Sequence, residues 1–380
     1  MFISVFMGPA SRTPAEDLPL IDLCLEQAVA AAQAGCCMVT FGEQHFNNYE
    51  PYANPFMMAA RLAPDLGGTW FGTTIVPLVL NHPLRVAENA AVADVLTRGR
   101  FLMGLSAGRV GFSPDFANFG IDPARRDAVF DAKLDILLRA RAHREEDGPL
   151  SFETPWDTCA ISGRLMPMSY RSGGPQLAIG TNTDATIERF AELGWPLFLG
   201  PCHPRMAARK LKLHRDTMAE AGLPRSVVDD ATSKSFVTRH VIVGTTEDEA
   251  WERAELMAGR APMMDRSADP RSLRELARAP FDPTAMHDPR NRNAAHVQSW
   301  IIAGTPDQVT EQILDYEKSG IPHLNTRFTV GTYNPDAIRD SFGLFSREVV
   351  PMLSPQLFAD LEPAEVSAEY RTGTVGEGRS

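Results

Sequence analysis

Eight short apolar runs recur along the chain, each followed by a stretch of helical periodicity, and this alternation constrains the fold more than any other feature. The runs are "FISVFM" (2–7), "CMVTF" (37–41), "WFGTTIV" (70–76), "FLMGLS" (101–106), "QLAIG" (176–180), "PLFLG" (196–200), "SFVTRHVIV" (235–243) and "HLNTRF" (323–328). Their length and their β-branched and aromatic content predict strands. Amphipathic helices are predicted near 15–34, 54–64, 84–97, 123–142, 184–193, 204–221, 246–258, 305–318 and 335–350. Strands alternating with helices imply a parallel sheet covered by helices, and eight such units is the number that closes a (β/α)8 barrel. An open doubly wound sheet would carry a Gly-rich fingerprint after its first strand, and "MGPASRTP" is not one.

Two stretches interrupt the alternation. Residues 147–175 are rich in Gly, Pro and Ser and read as a hairpin excursion before the fifth strand. Residues 259–296 contain Pro262, Pro270, Pro280, Pro283 and Pro289 among many charges. A connection of that length is rarely passive, so it reads as a lid-like insertion, with disorder as the alternative. The polar segment 355–380 reads as a flexible C-terminal tail, which leaves one barrel domain over 1–354. The net charge of -11 opposes binding to nucleic acid or to an acidic membrane. The absence of a leader and of any long apolar stretch predicts a cytoplasmic location. Cys24, Cys36, Cys37, Cys159 and Cys202 form no metal-knuckle spacing and read as reduced packing thiols, so no metal is expected.

Working groups of such a barrel sit where strands end and loops begin, because the scaffold is rigid there and the mouth is open. "FGEQHF" (41–46) puts His45 and Gln44 there as proton-transfer or hydrogen-bonding candidates, with a rim role for His45 as the bland alternative. Arg85 and Glu88 share a helix face and predict an ordinary ion pair. "GLSAGRVGF" (104–112) offers close backbone approach at its glycines and a cation at Arg109. "IGTNTDATIERFAELG" (179–194) leaves its strand through Thr181, Asn182, Thr183 and Thr186 into a helix, the construction of a phosphate site, or equally a helix start capped by Thr183.

Taken in order, "EQHF", "GTTIVPLVLNHPLRVAENAAVADVLTRGRFLMGLSAG", "TNTDATIERFAELGW", "FVTRHVIVGTTEDEAWERA" and "AGTPDQVTEQILDYEKSGI" resemble the bacterial luciferase-like, flavin-dependent monooxygenases from Phe2 to about Leu353. The resemblance implies a luciferase-like TIM barrel that binds reduced FMN at the strand C-terminal ends and divides dioxygen between a small organic substrate and water. It implies Thr74 and Ile75 beside the flavin ring, at a peptide bond often cis in the family. It assigns Arg126 or its neighbour Arg125, with Asn182, Thr183 and Thr186, to the phosphate. Ser106 stands where luciferase catalytic subunits have a cysteine, and Gln44 where they have a first histidine before the one matching His45.

A glutamine exchanges no proton near neutral pH but still donates and accepts hydrogen bonds. An amide before the histidine is also a feature of the non-catalytic luciferase chain, so a flavin-binding partner subunit is one rival reading. A deazaflavin-dependent oxidoreductase on the same fold is another. No NAD(P)H fingerprint is present, so a separate flavin reductase is expected to supply reduced flavin. The 83–97 helix resembles a family interface element, implying a homodimer or a heterodimer with a homologous chain.

Overall fold

The computed structural model describes residues 1–108, 114–258, 271–282, 293–329, 334–362 and 365–371. Its strands are β1 (Phe2–Phe6), β2 (Met38–Phe41), β3 (Trp70–Pro77), β4 (Phe101–Ser106), β5 (Leu150–Glu153), β6 (Thr158–Ile161), β7 (Gln176–Gly180), β8 (Leu197–Leu199), β9 (Phe236–Val243), β10 (Ile301–Gly304) and β11 (His323–Arg327). Hydrogen bonding runs β1-β2-β3-β4-β7-β8-β9-β11 and returns to β1, with every pair parallel. The chain is therefore a closed (β/α)8 TIM barrel, and helices cover the outer face of the ring.

Strand alternation separates two kinds of packing. Ile3, Val5, Val39, Phe41, Phe71, Leu105, Ile179, Leu199 and Leu324 face outward into the helix layer and belong to one large apolar cluster. Trp70, Met38, Leu102, Ala178, Phe198 and Phe236 fill the inside of the ring. Midway up, the interior turns polar. Ser4 donates to Asn325 Oδ1 at 2.9 Å, His323 Nε2 lies 2.9 Å from Ser4 Oγ, and Asn325 Nδ2 donates to Thr40 and Thr238 hydroxyls at 3.3 and 3.4 Å. Buried polar groups persist where they satisfy one another, and this network forms a floor under the open end.

Several features differ from the sequence expectation, helices Arg225–Lys234 and Ala294–Trp300 among them. β10 was not predicted. Its four residues "IIAG" follow a short polar helix, too little for periodicity to register, and pair only with the C-terminal half of β9, outside the ring. The long run 235–243 is thus one barrel strand continued past the rim to serve a second small core.

That core corrects the lid reading for part of 259–296. Helix Leu273–Arg278 begins with a reciprocal Ser272 and Glu275 capping box, and Leu273 and Leu276 are fully buried against Ile242, Trp251, Val297 and Ile301. Gln298 donates to the carbonyl of Ala279 at 2.6 Å, closing the helix end. Residues 271–282 are therefore a packed element, held by apolar burial, while 259–270 and 283–292, with Arg290 and Arg292, lie outside the described residues.

The tail is likewise not free where it is described. Phe358 packs against Phe2, Trp70 and His323 with ring centroids 5.2, 5.6 and 5.7 Å apart, closing the base of the barrel. Tyr370 stacks on Tyr170 at 5.5 Å, and Ser367 Oγ donates to Ser169 O at 2.7 Å. A polar composition concealed this docking because two aromatic residues carry it. Residues 372–380 lie outside the described set.

Candidate active site

β2, β3, β4 and β7 are consecutive neighbours in the ring, so the loops at their C-terminal ends form one arc of the mouth. On the β2 loop, His45 Nε2 donates to Glu43 Oε1 at 3.0 Å, and Asn81, from the loop after β3, donates to the same oxygen at 2.7 Å. Glu43 is buried and His45 half-buried. The carboxylate fixes the imidazole ring and raises its pKa above the ordinary histidine value, chiefly through this hydrogen bond. Phe119 meets the imidazole edge to face at 4.9 Å. Gln44 points into its own loop, its carbonyl accepting from Asn47 Nδ2 at 2.6 Å. His45 and Gln44 therefore differ in kind: one is a held titratable group, the other a loop-bracing amide.

On β3 the Thr74–Ile75 peptide bond is cis, and the register between β3 and β4 shifts between Thr73 and Val76. Both side chains are half-buried at the rim, and the Thr74 hydroxyl is buried without a hydrogen-bond partner among the described residues. Gly180 ends β7 against Ile75, where an added Cβ would fall 2.8 Å from Ile75 Cγ2. Ser106 ends β4 buried, its hydroxyl accepting from Gly108 N–H at 3.0 Å. Arg109 and Gly111 lie outside the described residues.

The loop after β7 leads to helix Asp184–Ala191. Thr183 stands at its N-cap position, yet its hydroxyl does not cap the helix, so the capping reading fails and the first-turn N–H groups receive no bond from it. Asn182 and Thr183 are exposed and Thr186 partly so. Asp184, an acid at the same place, is neutralised from the next helix. Lys210 Nζ donates to it at 2.8 Å and Arg209 at 2.9 Å, and these bonds, Lys210 first, hold its carboxyl below the usual range. Lys210 also donates to Asn182 O at 2.5 Å. Two cations against one carboxylate leave the helix start electropositive, the electrostatics an anion requires. Arg126 begins helix Arg126–Ala142 and bonds to Asp127 at 3.0 Å. It precedes Phe130 by one turn as Thr186 precedes Phe190, and those two rings meet at 6.2 Å, so Arg126 and Thr186 occupy the same level of adjacent helices.

Sequence reading missed several groups here. Asn81, Arg209 and Lys210 had no motif to mark them. The far wall of the mouth is aromatic: His240 stacks on Trp300 at 4.9 Å and Trp300 on His296 at 5.2 Å. Phe281 stacks on His203 at 3.6 Å, joining the packed insertion to the β8 loop. Burial, aided by Arg239 and Arg205, lowers His203 to about 4 and keeps it neutral. Among the described residues no three His, Cys, Asp or Glu side chains gather to hold a metal ion.

The family description luciferase-like monooxygenase matches residues 1–323. The chain belongs to that family. A 4-hydroxyprotoasukamycin monooxygenase from Streptomyces nodosus subsp. asukaensis is 26% identical over 351 residues, 88% of this chain and 87% of that one. The alkanal monooxygenase alpha chain of the Kryptophanaron alfredi symbiont is 26% identical over 195 residues, 50% of this chain and 52% of that one. This chain spans about half the length of several curated relatives it matches. Among solved structures, the oxygenating constituent of 3,6-diketocamphane monooxygenase from the CAM plasmid of Pseudomonas putida, in complex with FMN, superposes with a TM-score of 0.70 at 19% identity. The superposition covers 94% of this chain and 99% of that one. At that identity the likeness is one of fold.

Proposed function

We propose that this luciferase-like monooxygenase uses reduced FMN, supplied by a separate reductase, and dioxygen to oxidise a small organic substrate. The observation that carries the reading is the helix start at Thr183: exposed, uncapped by its own side chain, and made electropositive by Arg209 and Lys210. A flavin phosphate fits it. Thr181, Asn182, Thr183 and Thr186 would supply hydroxyl, amide and backbone donors, and Arg126 a further cation on the adjacent helix. The half-buried rim at Thr74, Ile75 and Ser106 would seat the ring, and the unpartnered Thr74 hydroxyl is a polar group in want of a ligand. Bound reduced flavin would supply the two electrons that, with two protons, send one oxygen atom to the substrate and the other to water.

The chain's own contribution is orientation and proton handling. His45, held by Glu43, would donate a hydrogen bond or a proton at the reacting oxygen, and Gln44, its side-chain carbonyl accepting from Asn47, would brace the loop that presents it. The phosphate claim is tested by anaerobic titration with reduced FMN and reduced riboflavin. Charge-assisted hydrogen bonds contribute about 1.5–3 kcal/mol each, so FMN should bind at least roughly tenfold more tightly. Thr183→Ala should lose part of that preference with the fold intact. Equal affinity for the two flavins would remove the phosphate site, and preferential binding of a deazaflavin would move the chain to hydride transfer.

A further inference from the structure

Near the C-terminal end of β9 the inner wall of the barrel carries a histidine that the fold leaves unpaired. Lower on the same strand, Phe236 stacks on the inward Phe198 at 4.1 Å, and the Thr238 hydroxyl accepts from Asn325 in the polar floor. Strand alternation therefore points His240 inward too, one layer above that floor. In register it pairs with Arg327 of β11 and Ile301 of β10. Its chain neighbours turn outward, Arg239 donating to Gln298 O and Val241 joining the outer apolar cluster.

The residue is 1% exposed, and neither Nδ1 nor Nε2 of its ring has a hydrogen-bond partner among the described residues. Buried polar groups are normally paired, and one left unpaired lowers stability. Two such nitrogens on one ring point to function, since phenylalanine would fill a similar volume without the penalty. Trp300, half-buried at the end of helix Ala294–Trp300, fixes the imidazole, with centroids 4.9 Å apart and planes within 22° of parallel. His296 extends the stack on Trp300 at 5.2 Å and 14°. The wall is thus flat and aromatic, with hydrogen-bonding capacity at one place on the inner face. In the ring of eight strands β9 stands four places from β3 in either direction, so His240 faces the Thr74–Ile75 rim across the mouth.

Burial, and then Arg327, Arg239 and His296, hold His240 well below the ordinary histidine range, so its ring is neutral. A neutral imidazole has one donor and one acceptor nitrogen. A hydrocarbon would leave both unpaired. An amine cation would meet the charges of Arg327 and Arg239. A carbonyl or carboxylate accepts without donating and serves only the N–H. A hydroxyl pairs with either nitrogen, and a planar ring lies flush on a flat wall.

We propose that the His240–Trp300 wall is the substrate subsite, and that it takes a neutral hydroxylated aromatic ring whose hydroxyl hydrogen-bonds His240. Calling this ligand the substrate rests on the function proposed above, which seats the flavin ring at the opposite rim.

The test is a binding measurement on the full chain with two probes of matched shape, 2-naphthol and 2-methylnaphthalene, in wild type, His240→Phe and His240→Gln. Affinities are taken by equilibrium dialysis, flavin-free and again anaerobically with reduced FMN. The greater hydrophobicity of the methyl compound is common to all chains and cancels when their naphthol-to-methylnaphthalene affinity ratios are compared. His240→Phe should lower that ratio about tenfold, the size of one hydrogen bond lost at a buried partner, and His240→Gln should restore most of it. Phenylalanine also removes two unpaired nitrogens, so flavin-free His240→Phe should unfold at a higher temperature than wild type. An equal ratio in all three chains overturns the proposal, as does a wild type that binds neither probe in either flavin state. A lower unfolding temperature for His240→Phe would show the imidazole to be paired within the fold and overturns it too. If reduced FMN does not bind, the proposed function fails alone, and the flavin-free ratios still decide whether His240 recognises the hydroxyl.

Discussion

His45 depends on Glu43 for both its orientation and its proton affinity, and Glu43 in turn is braced by Asn81 across the loop. Glu43→Gln should therefore lower the His45 pKa, read from its imidazole resonances, because the first cause of the rise is removed. The sign carries into stability. A histidine whose folded pKa is raised contributes stability that is complete below its unfolded value of about 6.5 and is lost as pH rises through the folded value. Wild type should lose its advantage over the variant across that window, and parallel stability curves for the two chains would place the Glu43 contact outside the energetics of His45. His45→Ala should depress substrate oxidation by about 100-fold or more if the imidazole acts as acid or base. Flavin affinity should change little, and normal turnover would leave His45 a rim residue. At this scale the sequence was legible where a residue sits beside its own strand, as His45, Thr74 and Ser106 do. It was not legible where partners come from distant segments, as Asn81 does for Glu43 and Lys210 for Asp184.

Among the elements, the barrel strands were readable as apolar runs because parallel strands of a closed ring are buried on both faces, whereas β10 and helix Leu273–Arg278 were too short to stand out and too proline-flanked to invite a reading. Their order comes from tertiary burial. Leu276→Ala should consequently lower unfolding free energy by about 2–5 kcal/mol in denaturant titrations, as for other fully buried leucines. A mobile cover would lose almost nothing, so an unchanged midpoint would restore the lid reading to this stretch. Helix Pro83–Leu96 repays the same scrutiny. Asp94 is buried within its own chain and accepts from Arg171 N–H at 2.8 Å, and Arg85 and Glu88 pair with each other at 2.7 Å. The exposed apolar residues of that helix are Val92 and Leu96, at 40% and 44%. These carry the expectation of a homologous partner, so a charged substitution at Leu96 should weaken any dimer seen by sedimentation.

At the scale of the whole molecule the barrel separates chemistry from stability by its two ends. The rim holds His45, Thr74 and Thr183. The base is closed by Phe358, from a segment whose polarity suggested it had no fixed place, so the fold's plug and its candidate site lie at opposite ends of the same strands. Phe358→Ala should cost about 3–5 kcal/mol of stability through the cavity it leaves against Phe2, Trp70 and His323, with reduced FMN affinity unchanged. Thr183→Ala should do the reverse. Sites this far apart with no shared partners add within about 0.5 kcal/mol, so the double variant should show the sum of the two effects on each measurement. A flavin affinity that falls when only Phe358 is truncated would mean that the base governs the mouth through the polar floor of Ser4, Thr40 and Asn325, and that the two ends are not independent.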